Sequence, residues 1–233
     1  MSFLVEQRPS DSPFVETVMH GWTVGTGTTT RPAETHWHLV FARHAGGVSP
    51  MMVGPLTTAG RVAFQPGVEI LWIKFKLGAF MPDLPARDFL NSEASLPGAA
   101  DRRFWLKGSA WQYPDFENVE TFIGRLARAD VLVHDPAVAA ALQEQTPTVA
   151  GRTLRHRFLR ATGQSQGHIR QWQRAQRAEA LLRQGVTILD TVQAAGYSDQ
   201  AHLTRSLKQF IGQTPAQIRR QAAAGDADQR ERA

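Results

Sequence analysis

The chain has 233 residues, with 26 Lys and Arg against 21 Asp and Glu, eight His and no Cys. That length allows one large domain or two small ones, each able to bury a core. With no Cys there is no disulfide framework, thiolate zinc site, thiol nucleophile or sulfur-ligated cluster. The hydrophobic share of 42% and charged share of 20% are those of an ordinary globular protein. The start, MSFLVEQRPSDSPF, lacks a charged segment followed by an apolar run, and no stretch approaches the roughly 18 apolar residues of a membrane span, so a cytoplasmic location with no membrane partner is expected.

The charge is unevenly placed. Residues 1–145 carry 12 basic and 15 acidic groups, whereas residues 146–223 carry 12 basic and only 3 acidic ones. A small unit with that excess has the electrostatic footprint of a module that neutralises phosphates, and a solvated basic surface would share it.

Between Gly21 and Leu77 the runs HWHLVFA, RVAFQ and VEILWIKFKL are separated by Gly, Pro and Thr clusters. They predict an antiparallel β unit. Five of the six Trp (22, 37, 72, 105 and 111) lie in this half of the chain, enough to line an aromatic pocket or to fill a core. His36, Trp37, His38, Trp72 and Lys74 are the candidate ligand contacts. The pair His36 and His38, with His44, also invites a metal reading, because residues two apart on a strand face one side. A β-barrel metal site would want a Glu shortly afterwards and a further His on a later strand. Positions 42 and 43 are Ala and Arg, and 61–77 hold no His, so no metal site is assigned.

From Phe80 to Pro114 turn-formers interrupt any period, and short helices in irregular structure are expected. A 3.6-residue spacing of Phe116, Val119, Ile123, Leu126 and Val131 then predicts an amphipathic helix ending near Pro136, followed by a short one over 137–143. Its apolar face would pack on the β unit or serve a homodimer.

The C-terminal third is dense in helix signals. Leu154, Phe158 and Ala161 share one face of a helix that Gly163 closes, with Arg152, Arg155 and His156 on the outside. A longer helix over 166–183 buries Ile169, Trp172, Ala175, Ala178 and Leu182 and spans roughly 27 Å. Thr187-Ile-Leu-Asp190 is a helix start, Gly196 breaks that helix, and Ser198 caps the next, whose inward residues are Leu203, Leu207 and Phe210. Thr214-Pro215 opens a last helix to about Gln221. A short helix, a glycine turn and a second helix with a basic outer face form a helix-turn-helix. Two such helices held apart by a rigid rod could enter successive major grooves, which recur every ~34 Å.

The run GVTILDTVQAAGYSDQAHLTRSLKQFIGQTPAQIRR resembles the C-terminal signature of the AraC/XylS family of bacterial transcription regulators, and RTLRHRFLRATG resembles that family's first recognition helix. The resemblance spans about residues 136–221. It implies an α+β protein: an N-terminal β-rich, cupin-like domain (1–112) that senses a small molecule or dimerises, a helical connector (113–135), an all-α DNA-binding domain with two helix-turn-helix units (136–222) and a disordered tail (223–233). By position, Arg152, Arg155 and His156 match base-facing sites of the first unit, and Gln200, Ala201, His202 and Arg205 those of the second. Lys208 is expected on phosphate. Leu154, Phe158, Tyr197, Leu203 and Leu207 match core sites. One departure is the short interval between Leu142 and Arg152: either residues 137–143 supply the leading helix of the first unit, or that unit is truncated. Ala150 also stands where a Ser cap is usual, leaving Thr148 as substitute.

The expected function is therefore sequence-specific, nucleoid-associated DNA binding with no catalysis and no cofactor, controlled by a small-molecule effector. As an activator it would engage RNA polymerase. Two rivals stay open: a cupin-like metal-dependent enzyme with a DNA-binding appendage, and a constitutive binder whose N-terminal half only dimerises. A DNA-repair methyl acceptor is excluded by the lack of Cys.

Overall fold

The computed structural model describes residues 3–142 and 150–231. Its packing falls into two compact units: Met1–Thr29, Thr35–Pro55 and Ala63–Gln166 form one, and Thr30–Glu34, Leu56–Val62 and Gly167–Ala233 the other. This differs from the division expected at residues 112 and 136. The helices just after Asp135 pack with the strands, and two short segments from the strand-rich half pack with the remaining helices.

The strands, in chain order, are β1 Phe3–Pro9, β2 Val15–Thr23, β3 Gly27–Arg31, β4 His38–His44, β5 Gly47–Val53, β6 Gly60–Phe64, β7 Glu69–Phe75, β8 Ala79–Phe80, β9 Glu93–Ser95, β10 Gly98–Ala99, β11 Arg103–Leu106, β12 Ser109–Gln112 and β13 Val133–His134. Six of them form an antiparallel sheet in the order β1-β2-β7-β4-β5-β9. The three runs read from sequence correspond to β4, β6 and β7. Strands β1 and β2 carry too little period-2 contrast to stand out, because Leu4 and Val5 are exposed apolar residues.

Sheet register decides which residues meet. Val18 lies opposite Ile73, Ile73 opposite Leu39 and Leu39 opposite Met52, and all four are fully buried. Helix α1, Val119–Arg128, buries Val119, Phe122, Ile123 and Leu126. Phe122 sets its ring 6.3 Å from Phe41, 6.2 Å from Phe104 and 6.5 Å from Trp111, at the contact distances of favourable aromatic pairs. The helix stops earlier than the apolar spacing predicts. Ala129 caps it and Asp130 takes φ 53°, which turns the chain while leaving Val131 buried. The stretch 80–114 holds a 3-10 turn at Ala86–Phe89 and the small antiparallel sheet β10-β11-β12 rather than short α-helices.

Helices α2, Pro136–Leu142, and α3, Gly151–Thr162, complete this unit. Leu154, Phe158 and Ala161 are buried as expected. Trp37 donates its indole N–H to the Ala161 carbonyl at 3.1 Å, so α3 is tied to the chain just before β4. Gly163 ends α3 with φ 68°. A Cβ there would lie 2.9 Å from the Ala86 backbone, so both conformation and space demand glycine.

The second unit is helical. It contains α4 (Gln166–Arg183, its first residue counted with the other unit), α5 (Ile188–Ala194), α6 (Gln200–Phe210) and α7 (Pro215–Glu231). Helix α7 continues past the expected stop at Gln221, where Ala222–Ala224 are strong helix formers, and runs on through Gly225 to Glu231, into the stretch expected as a disordered tail. The core comprises Trp172, Ala175, Ala178, Leu182, Val192, Ala195, Tyr197, Leu203, Leu207, Phe210, Ile211 and Ile218, joined by Ala33. Among the described residues no helix is long and apolar enough to cross a membrane.

Candidate nucleic-acid interface and ligand cleft

The α5–turn–α6 segment is assembled by local hydrogen bonds that its sequence encodes. Thr187 Oγ1 accepts from the Asp190 amide at 3.2 Å and donates to its carboxylate at 2.6 Å, closing the start of α5. Gly196 turns the chain at φ 71°. Tyr197 is buried in that turn: its hydroxyl pairs with Ser206 Oγ at 2.9 Å, and the Arg174 guanidinium sits 4.6 Å over its ring.

The cap of α6 is Asp199, not Ser198. The Asp199 carboxylate accepts from the His202 amide at 2.6 Å. That bond first, then one from Ser198 and the nearby charge of Arg205, holds the Asp199 carboxyl below its ordinary value. Both residues are good caps, and the ionised one wins because the helix start favours negative charge. Ser198 Oγ pairs instead with His202 Nδ1 at 3.1 Å.

With Leu203, Leu207 and Phe210 buried, α6 turns Gln200, Ala201, Arg205 and Lys208 outward, and all four are exposed. His202 is only half-exposed, held by Ser198 and edge-on to Tyr197 with ring centroids 5.0 Å apart. Its described contacts are those of a residue that fixes the turn. A reciprocal cap at Thr214 and Gln217 opens α7: each backbone amide donates to the other's side chain, at 2.8 and 3.2 Å.

On α3, Arg152, Arg155 and His156 are exposed, opposite Leu154 and Phe158. Ala150 is the N-cap and makes no side-chain cap bond. Thr148, the expected substitute, lies outside the described residues. Helix α2 packs on α3, and Asp135 links them, accepting from the Ala137 amide at 3.0 Å and pairing with Arg157 at 3.4 Å. His156 also lines a groove of about 420 Å³ with Met81, Leu84, Arg87, Leu159 and Arg160.

None of the five candidate ligand residues of the strand-rich unit lines the cleft described below. Trp37 is buried, hydrogen-bonded to α3, and packs on Phe89 at 5.6 Å. His38 accepts from the Trp72 indole N–H. Glu16 bridges His36 and Lys74, each at 3.1 Å. Burial alone would raise the Glu16 carboxyl, yet the hydrogen bond from His36 and the charges of His36 and Lys74 bring it down to about 2.

An open cleft of this unit lies on the other face of the sheet, has a volume of about 380 Å³ and is lined by Glu6, His20, Trp22, Phe41, Arg43, Val48, Glu69, Leu71, Tyr113, Pro114, Asp115, Phe116 and Glu117. Register explains this. Leu71 and Glu69 alternate with Trp72 and Ile70 along β7, and His20, Trp22, Phe41 and Arg43 lie opposite Leu71 or Glu69. Within the cleft, Glu69 pairs with His20 at 2.9 Å and Arg43 at 3.2 Å. Phe116 stacks on His20 at 5.7 Å and carries the Arg8 guanidinium at 5.0 Å. Among the described residues no group of three His, Asp or Glu is arranged to hold a metal ion.

With this geometry in place, the comparison with known proteins is specific at one end of the chain. Residues 148–221 match the family described as a helix-turn-helix domain. In this segment the chain is similar to helix-turn-helix domains of the AraC type. Over 95 residues the sequence is 35% identical to the HTH-type transcriptional regulator RipA of Corynebacterium glutamicum, covering 39% of this chain and 28% of the relative. The chain therefore spans little more than a quarter of that relative's length. No solved structure matches the chain.

Proposed function

We propose that this protein is a sequence-specific DNA-binding transcription regulator. The observation that carries the reading is the outward face of α6, where Gln200, Ala201 and Arg205 are exposed near a capped helix start and Lys208 in the last turn, opposite a closed apolar face. A helix of that build presents its N-terminal residues to base edges in the major groove. There Gln suits adenine, Arg suits guanine and the Ala methyl suits thymine. Lys208, a helical turn away, is suited to a phosphate oxygen. The match of 148–221 to the helix-turn-helix family and the name of the relative support the same reading.

Arg152, Arg155 and His156 on α3 are assigned to a second reading helix by their exposure and by their place in the matched segment. In the strand-rich unit we assign effector binding to the open cleft around Trp22, Tyr113 and Glu117, because a concave, partly aromatic site with a few polar groups is what a small ligand needs.

Selection of bound duplexes from a random pool by the full chain, followed by gel shift, tests the function. Enrichment of a defined motif, and loss of its preference in Arg205→Ala, is expected. Uniform recovery of all sequences at moderate salt would end the proposal.

A further inference from the structure

The wall of the cleft is acidic. Four carboxylates line it, from Glu6, Glu69, Asp115 and Glu117, against the guanidinium of Arg43 and the imidazole of His20. Glu69 is matched by both of those groups. Asp115 spends one oxygen on the Glu117 and Asn118 amides, at 3.1 and 3.0 Å. Neither Glu6 nor Glu117 makes a hydrogen bond through its carboxylate or a contact ion pair with any described residue, although Glu117 feels the charge of the Arg8 guanidinium that lies over Phe116. Both belong to the cleft's rim on either side of His20: Glu6 is its cross-strand partner, and Glu117 follows the Phe116 that stacks on it.

The aromatic part of the wall complements this charge. Trp22 is 44% exposed although it is the largest apolar side chain of β2. Its ring meets His20 edge-on at 4.5 Å, which leaves its surface to the cleft. Tyr113 lines the same space, its ring backed by Phe104 at 5.6 Å. An indole face in the same cleft as carboxylates that no hydrogen bond occupies attracts a cation through the ring quadrupole and through charge. The volume of about 380 Å³ lies at the small end of ligand pockets, roughly 300–1,000 Å³.

We infer that the cleft binds a small organic cation, an ammonium or guanidinium on a short apolar body, with the head between Trp22 and the Glu6 and Glu117 carboxylates and the body against Tyr113. This rests on the reading of the cleft as an effector site and specifies its ligand. An anion would meet net negative charge there, and a neutral ligand would leave the two acids unused.

The test is titration calorimetry of the full chain with choline, agmatine and phenethylammonium. The uncharged choline isostere 3,3-dimethyl-1-butanol and the anion phenylacetate serve as contrasts. At least one cation is expected to bind saturably at one site per chain, roughly tenfold or more tighter than the alcohol. In Glu6→Gln/Glu117→Gln, and separately in Trp22→Ala, that affinity should fall at least fivefold while the melting temperature of the free protein stays put. Binding by none of the three cations, equal binding of phenylacetate, or undiminished binding in both variants overturns the inference. The gel shift repeated with the best cation separates the two readings. An altered DNA affinity joins them, and an unaltered one leaves the cation site intact while refuting its role as an effector site. Absence of DNA binding with or without the cation strikes only the proposed function.

Discussion

The indole N–H of Trp172 donates to the carbonyl of Ala33 at 2.8 Å, across 139 residues of sequence. The Ala33 amide in turn donates to the Phe210 carbonyl at 2.7 Å, and the Ala59 amide donates to that of Gln209 at 2.7 Å. Two segments from the strand-rich half thereby satisfy backbone groups at the end of α6 and close the core behind it. Trp172→Phe keeps an aromatic ring in the core, with some loss of volume, and leaves the buried Ala33 carbonyl without this donor. A loss of about 1–3 kcal/mol in urea unfolding is expected. A fragment of residues 136–222, which lacks both segments, should melt well below the full chain. An equal melting temperature would show that the segments contribute nothing.

Two glycines with similar backbone angles should respond differently. Gly163 (φ 68°) has the Ala86 backbone 2.9 Å from where a Cβ would lie, whereas Gly196 (φ 71°) has nothing within 4 Å. Gly196→Ala should cost only the left-handed penalty of about 1–2 kcal/mol. Gly163→Ala adds a backbone clash, so it should destabilise clearly more. Thermal melts of the two variants side by side decide it, and equal losses would count against the close approach.

The proposed DNA-binding role gives Arg205 and Lys208 on the exposed face of α6 separable duties, a base contact and a phosphate contact. Arg205→Ala should cost about 1–3 kcal/mol on the selected motif and relax preference at one base position, while Lys208→Ala should weaken all duplexes alike and lower the salt slope by about one. Gel shifts at two salt concentrations measure both. A uniform loss for Arg205→Ala would move it to the backbone.

Acid sensitivity has an identifiable source. Arg8 grips Glu120 with two hydrogen bonds, at 2.7 and 2.9 Å, and Ser10 adds a third at 2.7 Å. The hydrogen bond from Arg8 is the main reason the Glu120 carboxyl falls to about 2 from 4.5. A carboxyl lowered on folding contributes stability that is complete above about 4.5 and is lost as pH falls through about 2. Glu120→Gln should flatten the decline of stability over that window by about 1 kcal/mol, given the partial exposure of the pair. Denaturant midpoints at pH 6 and pH 3 test this, and parallel declines in parent and variant would refute it.

What the sequence made legible was local. The caps at Thr187 and Thr214, the turn at Gly196 and the inward faces of α3, α4 and α6 rest on contacts within a few residues, and spacing alone announces them. The cleft rests on the pairing of β2 with β7 and of β7 with β4, which brings His20, Arg43 and Glu69 together across as many as 49 positions. Alternation along β7 shows that Glu69 and Leu71 share a side and Trp72 and Lys74 do not fall with them. It does not show which side is concave, so nothing in the spacing points to Trp22 and Arg43 as lining a cleft. Ser198 and Asp199 are two adjacent cap formers, and only the bond to the His202 amide tells them apart. The inclusion of Ala33 in the helical core has no periodic signature at all.

That inclusion also orders events during synthesis. Residues 30–34 and 56–62 leave the ribosome long before α6 exists, so on the nascent chain the Ala33 and Ala59 amides and the Ala33 carbonyl lack their native partners until the last third has been made. The helical unit cannot reach its final packing while its partners are still folding elsewhere. A chain truncated before Phe210 would leave the early segments without these partners, and any transplantation of α4 to α6 onto another protein must carry those two short stretches with them.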